Sequence, residues 1–238
     1  MSEVTNLTFY ERNLADDLIG QALDSFLEIG AQYANPPRPK ITPSEDLTMY
    51  DLAMAAFANR NTMLSFRLSC ARNAVLFAAI AVEAAANYYA AARLIAADRQ
   101  LVDELPTPKK LLLMPRLAGR GDLFVHDREP LGLVRALFGL RNRIVHPKVG
   151  KRSVAQLNSE DFTPANVCGQ LIGAAHAITI LAGDLEDGEI RGISFFIVKH
   201  QTELRNNAKT WNDPPSAPGD VLRRAADLLA KSSGRQLR

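Results

Sequence analysis

Apolar residues recur at helical spacing through most of the chain. Between Glu11 and Tyr33 they fall at Leu14, Leu18, Ala22, Phe26 and Ile29, so one face of a helix is apolar. From Ser44 to Leu105 neither Gly nor Pro interrupts the run, and its second half is dominated by alanine, the residue with the strongest helical preference. Asn59 to Thr62 supplies capping side chains. That predicts a break, with a shorter helix near 47–59 and a long one near 63–103.

The polar and proline-bearing segments divide the rest. Asn35-Pro36-Pro37-Arg38-Pro39 predicts a stiff extended connection. Pro106-Thr107-Pro108 starts a short helical piece through Leu111-Leu112-Leu113, and Gly119 to Asp122 forms a loop. Glu129-Pro130 opens another helix, proline being suited to a first turn, and Pro147 stops it. Phe162-Thr163-Pro164 starts a helix to about Ala182 with Thr163 as its N-cap. Gly188 to Trp211 is ambiguous, because Ile193-Ser194-Phe195-Phe196-Ile197-Val198 fits a buried strand or a helical turn equally well. A proline-rich linker at 214–218 precedes an amphipathic helix from Val221 to Ala230 and a basic tail. Six or seven helices with little strand potential predict an all-α fold.

Composition narrows the class. At 238 residues the chain can bury a real core. Cys70 and Cys168 lie far apart with no second Cys or His at ligand spacing, so neither a disulfide framework nor a zinc site is expected. The start, Met1-Ser2-Glu3-Val4-Thr5, lacks the basic-then-apolar pattern of a signal peptide, and a cytoplasmic location is the expectation. Ala74 to Ala97 is apolar over a membrane-spanning length. It carries Glu83 and Arg93, however, each costing roughly 2.5–3.5 kcal/mol near a bilayer centre, so a buried core helix is expected and no membrane partner.

Charge changes the picture locally. The formal net charge is only +2, but Leu131 to Arg152 holds six basic residues (Arg135, Arg141, Arg143, Lys148, Lys151 and Arg152) and no acidic one. The first sixty residues run the other way, with nine acidic and four basic. The basic stretch contains Leu140-Arg141-Asn142-Arg143-Ile144-Val145-His146-Pro147-Lys148. Asn142 and His146 are four apart and share a helix face, with Arg141 about 100° round. Arginine offers a bidentate phosphate contact and histidine a base or acid near neutral pH, which together suffice for metal-free cleavage of RNA. Arg143, Lys148, Lys151 and Arg152 are the candidate RNA-binding cations. The competing account is a helix C-terminus whose cations merely cap it.

A second polar pair lies in the alanine-rich run, Ala78-Ala79-Ile80-Ala81-Val82-Glu83-Ala84-Ala85-Ala86-Asn87-Tyr88-Tyr89. A carboxylate in so apolar a helix needs a cation or hydrogen bonds, and Arg141 and Arg143 are candidates. Such a bond would fix one helix against another, or orient Arg141 for phosphate.

Both segments resemble those of the HEPN (higher eukaryotes and prokaryotes nucleotide-binding) superfamily. Its ribonuclease members carry an Arg followed four to six residues later by His, as in Arg141-Asn142 and His146, after a helix like the one bearing Glu83 and Asn87. The resemblance covers roughly residues 65–182. It implies an antiparallel helical bundle over 61–183, with an N-terminal helical extension at 1–60 and a C-terminal extension at 184–238. It further implies a homodimer in which both motifs line one cleft, with Arg141, Asn142 and His146 as catalytic residues and Glu83 and Asn87 supporting them. The activity implied is metal-independent cleavage of RNA to 2′,3′-cyclic phosphate and 5′-hydroxyl ends, without a cofactor. A toxin or phage-defence effector fits that chemistry, with RNA as substrate and a regulatory or antitoxin protein as a further partner. One histidine cannot serve readily as both base and acid, and a two-fold dimer supplies a second His146.

Two other readings stay open at this point. The chain is then a catalytically silent relative that binds a partner protein, nucleotide or RNA, or a helical scaffold whose motif is a capped helix end. His126, His176 and His200 read as structural. No Gly-rich phosphate loop, nucleophile elbow or paired-carboxylate metal motif is present.

Overall fold

The computed structural model describes residues 2–34, 49–121, 123–126, 128–146, 162–186 and 192–211, with side chains placed at 14–31 and from 65 onward. Among the described residues there are eight helices and no strand: α1 (Ser2–Ala34), α2 (Met49–Arg93), α3 (Ala96–Asp103), α4 (Thr107–Leu117), α5 (Leu131–Val145), α6 (Pro164–Asp184), α7 (Gly192–Lys199) and α8 (Gln201–Thr210). The all-α expectation holds. The connection at Asn35–Pro39, the linker at 214–218 and the helix from Val221 to Ala230 lie outside the described residues.

Helices α1 and α2 form the most extensive pair in the fold. Ala15, Ile19, Ala22, Phe26 and Ile29 of α1 are buried at helical spacing, and Ala71, Ala74, Ala78, Ala81 and Ala85 are buried along one face of α2. Alanine lets two axes approach closely without losing helical propensity. Helix α6 sits at the centre. It is buried nearly all round and packs on α1, α2, α5, α7 and α8. Cys70 and Cys168 are buried free thiols, and burial pushes the Cys168 thiol up to about 11, so both are packing residues.

Two element boundaries differ from expectation. The backbone of α2 runs straight through Asn59–Thr62 and breaks at Leu94–Ile95 instead, where no Gly or Pro stands. Capping side chains only permit a start and do not force one. At the real break, Leu94 and, one short helix later, Val102 are buried, so the chain turns to put both into the core. The ambiguous stretch is helical, forming α7 and α8. Within the apolar hexapeptide Ser194 and Ile197 point inward, one turn apart, while Phe195 and Phe196 remain exposed.

Four contacts fix the directions of the central helices. Arg72 of α2 lies over the ring of Phe162, just before α6, and Tyr89 of α2 reaches Asp184 at the end of α6, so α2 and α6 run parallel. Leu133 near the start of α5 packs on Gly169 and Gly173, while Arg120, before α5, reaches Asp184, so α5 runs antiparallel to both. The stretches Ser65–Arg93 and Pro164–Asp184 are long and apolar enough to cross a bilayer, and most of each apolar window is buried against the rest of the bundle.

Candidate functional site

The motif occupies the last turn of α5. Leu131, Val134, Leu137 and Leu140 are buried and set the rotation of the helix. That rotation leaves Arg141 half-buried and places Asn142, Arg143 and His146 in solvent. His146 is the C-cap, with φ −125° and ψ 68°, and its N–H still donates to the carbonyl of Asn142 at 2.8 Å. This backbone lies outside the α region, which a residue before proline avoids because it clashes with the proline ring. The Arg141 guanidinium donates to Asn142 Oδ1 at 3.1 Å. Arg141, Asn142 and His146 are therefore grouped within one turn, at the end of α5, with Asn142 and His146 exposed among the described residues. Lys148, Lys151 and Arg152 lie outside the described residues.

The exposed side of α5 above the motif is nearly featureless. Gly132, Ala136 and Gly139 fall on one stripe that continues into Arg143 and His146, and a Cβ at either glycine would meet nothing within 4 Å. A second helix can approach this face closely.

Glu83 and Asn87 are not brought to the motif. Arg141 lies about 12 Å further along α5 than Leu133, while Thr163 lies about 15 Å back along α6 from Gly173, so the motif sits at the end where α6 begins. Arg72 marks that end on α2, and Glu83 and Asn87 are about 17 and 23 Å farther up the same helix. Asn87 instead accepts a hydrogen bond from the buried Lys110 of α4, Nζ to Oδ1 at 3.2 Å, an amide–ammonium contact that ties α4 to α2. Glu83 is half-buried on the same side.

The opposite end of the bundle holds a charge cluster that sequence reasoning missed. Asp184 accepts from the Tyr89 hydroxyl at 2.9 Å and from Arg120 Nε at 2.6 Å, and Arg93 Nε lies 3.5 Å from its other oxygen. Arg93 also donates to the Asp184 main-chain carbonyl, capping α6. Burial alone would raise the Asp184 pKa, but the hydrogen bonds and the two guanidiniums outweigh it and hold the carboxyl below its ordinary value. Burial, followed by the hydrogen bond to Asp184, pushes the Tyr89 phenol well up. Arg120 reaches in from a loop framed by Gly119 and Gly121, both at positive φ (69° and 67°) that glycine adopts without strain. One signal was available: an aspartate ending an apolar helix opposes the helix dipole and needs cations nearby. The cluster joins α2, α6 and the loop after α4, and all its groups are mutually satisfied.

The other histidines have structural surroundings. Burial lowers the pKa of His176, and its Nε2 is enclosed with no hydrogen-bond partner among the described residues. His200 stacks on Phe196 with ring centroids 4.4 Å apart and lies 3.4 Å from Glu203. His126 is exposed in the loop before α5. No protein-family model matches the chain, and neither a curated protein nor a solved structure matches it.

Proposed function

We propose that the chain is a metal-independent endoribonuclease of HEPN type, acting in the cytoplasm as a toxin or phage-defence effector. The observation that carries this reading is the grouping of Arg141, Asn142 and His146 at the solvent-facing end of α5, with the first two already hydrogen-bonded. In the proposed reaction the 2′-hydroxyl of RNA attacks the adjacent phosphorus and the P–O5′ bond breaks. One His146 takes the 2′-proton, and a second protonates the departing 5′-oxygen. Arg141 binds the phosphate oxygens and stabilises their developing charge. Asn142, accepting from Arg141 through Oδ1, keeps its amide N–H groups to donate to the same phosphate. Arg143 adds a cation on the exposed side.

Two histidines require two chains. The bare stripe of Gly132, Ala136 and Gly139 supports a pairing of α5 with its own copy, and a two-fold crossing toward the motif end of that stripe would bring the two His146 side chains toward one another. Purified protein incubated with total RNA in excess EDTA tests the reading. Wild type is expected to leave 2′,3′-cyclic phosphate and 5′-hydroxyl ends, and His146→Ala and Arg141→Ala each to lose at least a hundredfold in rate. Absence of cleavage by wild type, with a stable dimer, would favour a silent binding protein. Cleavage that survives His146→Ala would end the proposal.

A further inference from the structure

Helix α8 is polar in sequence and has a light hold on the bundle. Of its ten residues only Leu204 and Ala208 are buried, and its N-cap, His200, makes no side-chain cap bond. Just beyond it Trp211 packs on the Phe26 ring, with centroids 5.1 Å apart, and sits over Gly30 of α1. Arg205 reaches Glu129, in the segment before α5, at 3.9 Å, and both side chains are well exposed, so that pair adds little. An element with so little buried surface is among the first to open locally.

The group that responds to pH at this contact is His176 of α6. Its Nε2 is enclosed and has no hydrogen-bond partner among the described residues. Two charges reach the ring, Glu129 from the segment before α5 and Arg205 from α8. The charge of Arg205 also reaches Cys168, about two turns back along α6, so α8 lies along the face that holds both residues. Burial lowers the His176 pKa most, and Arg205 lowers it further against the pull of Glu129. An imidazolium here would be an enclosed cation beside a guanidinium, and lifting α8 away lets water reach it. We propose that α8 is a pH-released strap, in which protonation of His176 frees Gln201–Thr210 from α6 while the rest of the bundle stays folded. The sign follows from the direction of the shift. The docked state binds fewer protons, so docking is complete above the ordinary value of 6.5 and weakens as pH falls below it. Asp16 of α1 anchors the start of α7, accepting from the Ile193 N–H at 3.2 Å, and its pKa is raised, chiefly by burial. That shift has the opposite sign, so acid does not undock α7 through Asp16. The strap operates whether or not the chain cleaves RNA.

Hydrogen exchange of the full chain, read peptide by peptide and corrected for the intrinsic effect of pH on exchange, measures the release. From about pH 7.5 to about pH 5.5, protection of the Gln201–Thr210 amides should fall by up to about tenfold, the limit for a single histidine of ordinary pKa when freed. Protection of residues 74–86 in α2 should stay constant. His176→Gln keeps a polar, uncharged side chain and should abolish the fall. His200 also titrates near this helix, with Glu203 3.4 Å away, and His200→Gln should leave the fall intact. A titration of the wild-type ring resonances, which needs no variant to fold, should show His176 changing charge below 6.5. Constant protection of α8 in wild type, a fall that survives His176→Gln, an equal fall across α2, or a His176 ring that titrates at or above 6.5 would each overturn the proposal.

Discussion

Asp184 ends α6, where the helix's own carbonyls repel an anion, and it is stable there because a phenol and two guanidiniums surround it. Replacing it by asparagine leaves Arg93 and Arg120 without their anion and costs about 1–3 kcal/mol. The pH dependence has a definite sign. The folded-state carboxyl sits below its ordinary value of 3.8, so its stabilisation is complete above the unfolded value and is lost as pH falls through the folded one. Urea unfolding of wild type and Asp184→Asn should therefore differ most near pH 7, with the gap narrowing as pH falls below 3.8. A gap that does not narrow at all between pH 7 and the acid limit of the folded state would show that packing, not charge, is responsible. At this scale the sequence was legible where chemistry is local. The crowding of Arg141, Asn142 and His146 needs only helical spacing to be seen. Asp184 meets Tyr89 and Arg120 across long stretches of chain, and only the helix-dipole conflict hints at it.

The glycines of α5 and α6 separate packing from exposure between elements. A Cβ at Gly173 would run into the Leu133 side chain, whereas a Cβ at Gly139 would meet nothing. Gly173→Ala should therefore destabilise by about 1–3 kcal/mol through overpacking. Gly139→Ala, in an exposed helix interior, should stabilise by about 0.5–1 kcal/mol by restricting the unfolded chain. Thermal unfolding of the two variants checks both signs, and an equal effect would contradict the register of α5 on α6. Helices with clean amphipathic spacing and proper punctuation, such as α1, α5 and α6 with its Thr163 cap, were readable from sequence. The failures have a common cause. Asn59–Thr62 holds capping residues but no reason for the chain to turn, and the turn at Leu94–Ile95 has a reason but no punctuation. The Ile193–Val198 run is apolar at every position but one, which erases the difference between a period of two and a period of 3.6.

Across the whole molecule the parallel course of α2 and α6 decides what can meet. It sends Glu83 and Asn87 toward the charge-cluster end and sets Arg72 over Phe162 where α6 begins, a pairing no sequence spacing encodes. It also leaves the proposed chemistry with a single histidine per chain, so activity must follow association. Gly139→Trp is the sharpest test of that dependence. The position is exposed and no described residue lies within 4 Å of a Cβ there, so the indole should be accommodated in one chain with little change in its unfolding midpoint. Against a second α5 the same indole would hold the helices apart. Sedimentation velocity should then show wild type and Gly139→Ala as dimers and Gly139→Trp as a monomer, and cleavage of RNA should fall in step with the dimer fraction. A tryptophan variant that stays dimeric would place the interface elsewhere on the bundle. One that is monomeric yet cleaves at the wild-type rate would mean that a single His146 is enough, and the shared site would have to be abandoned.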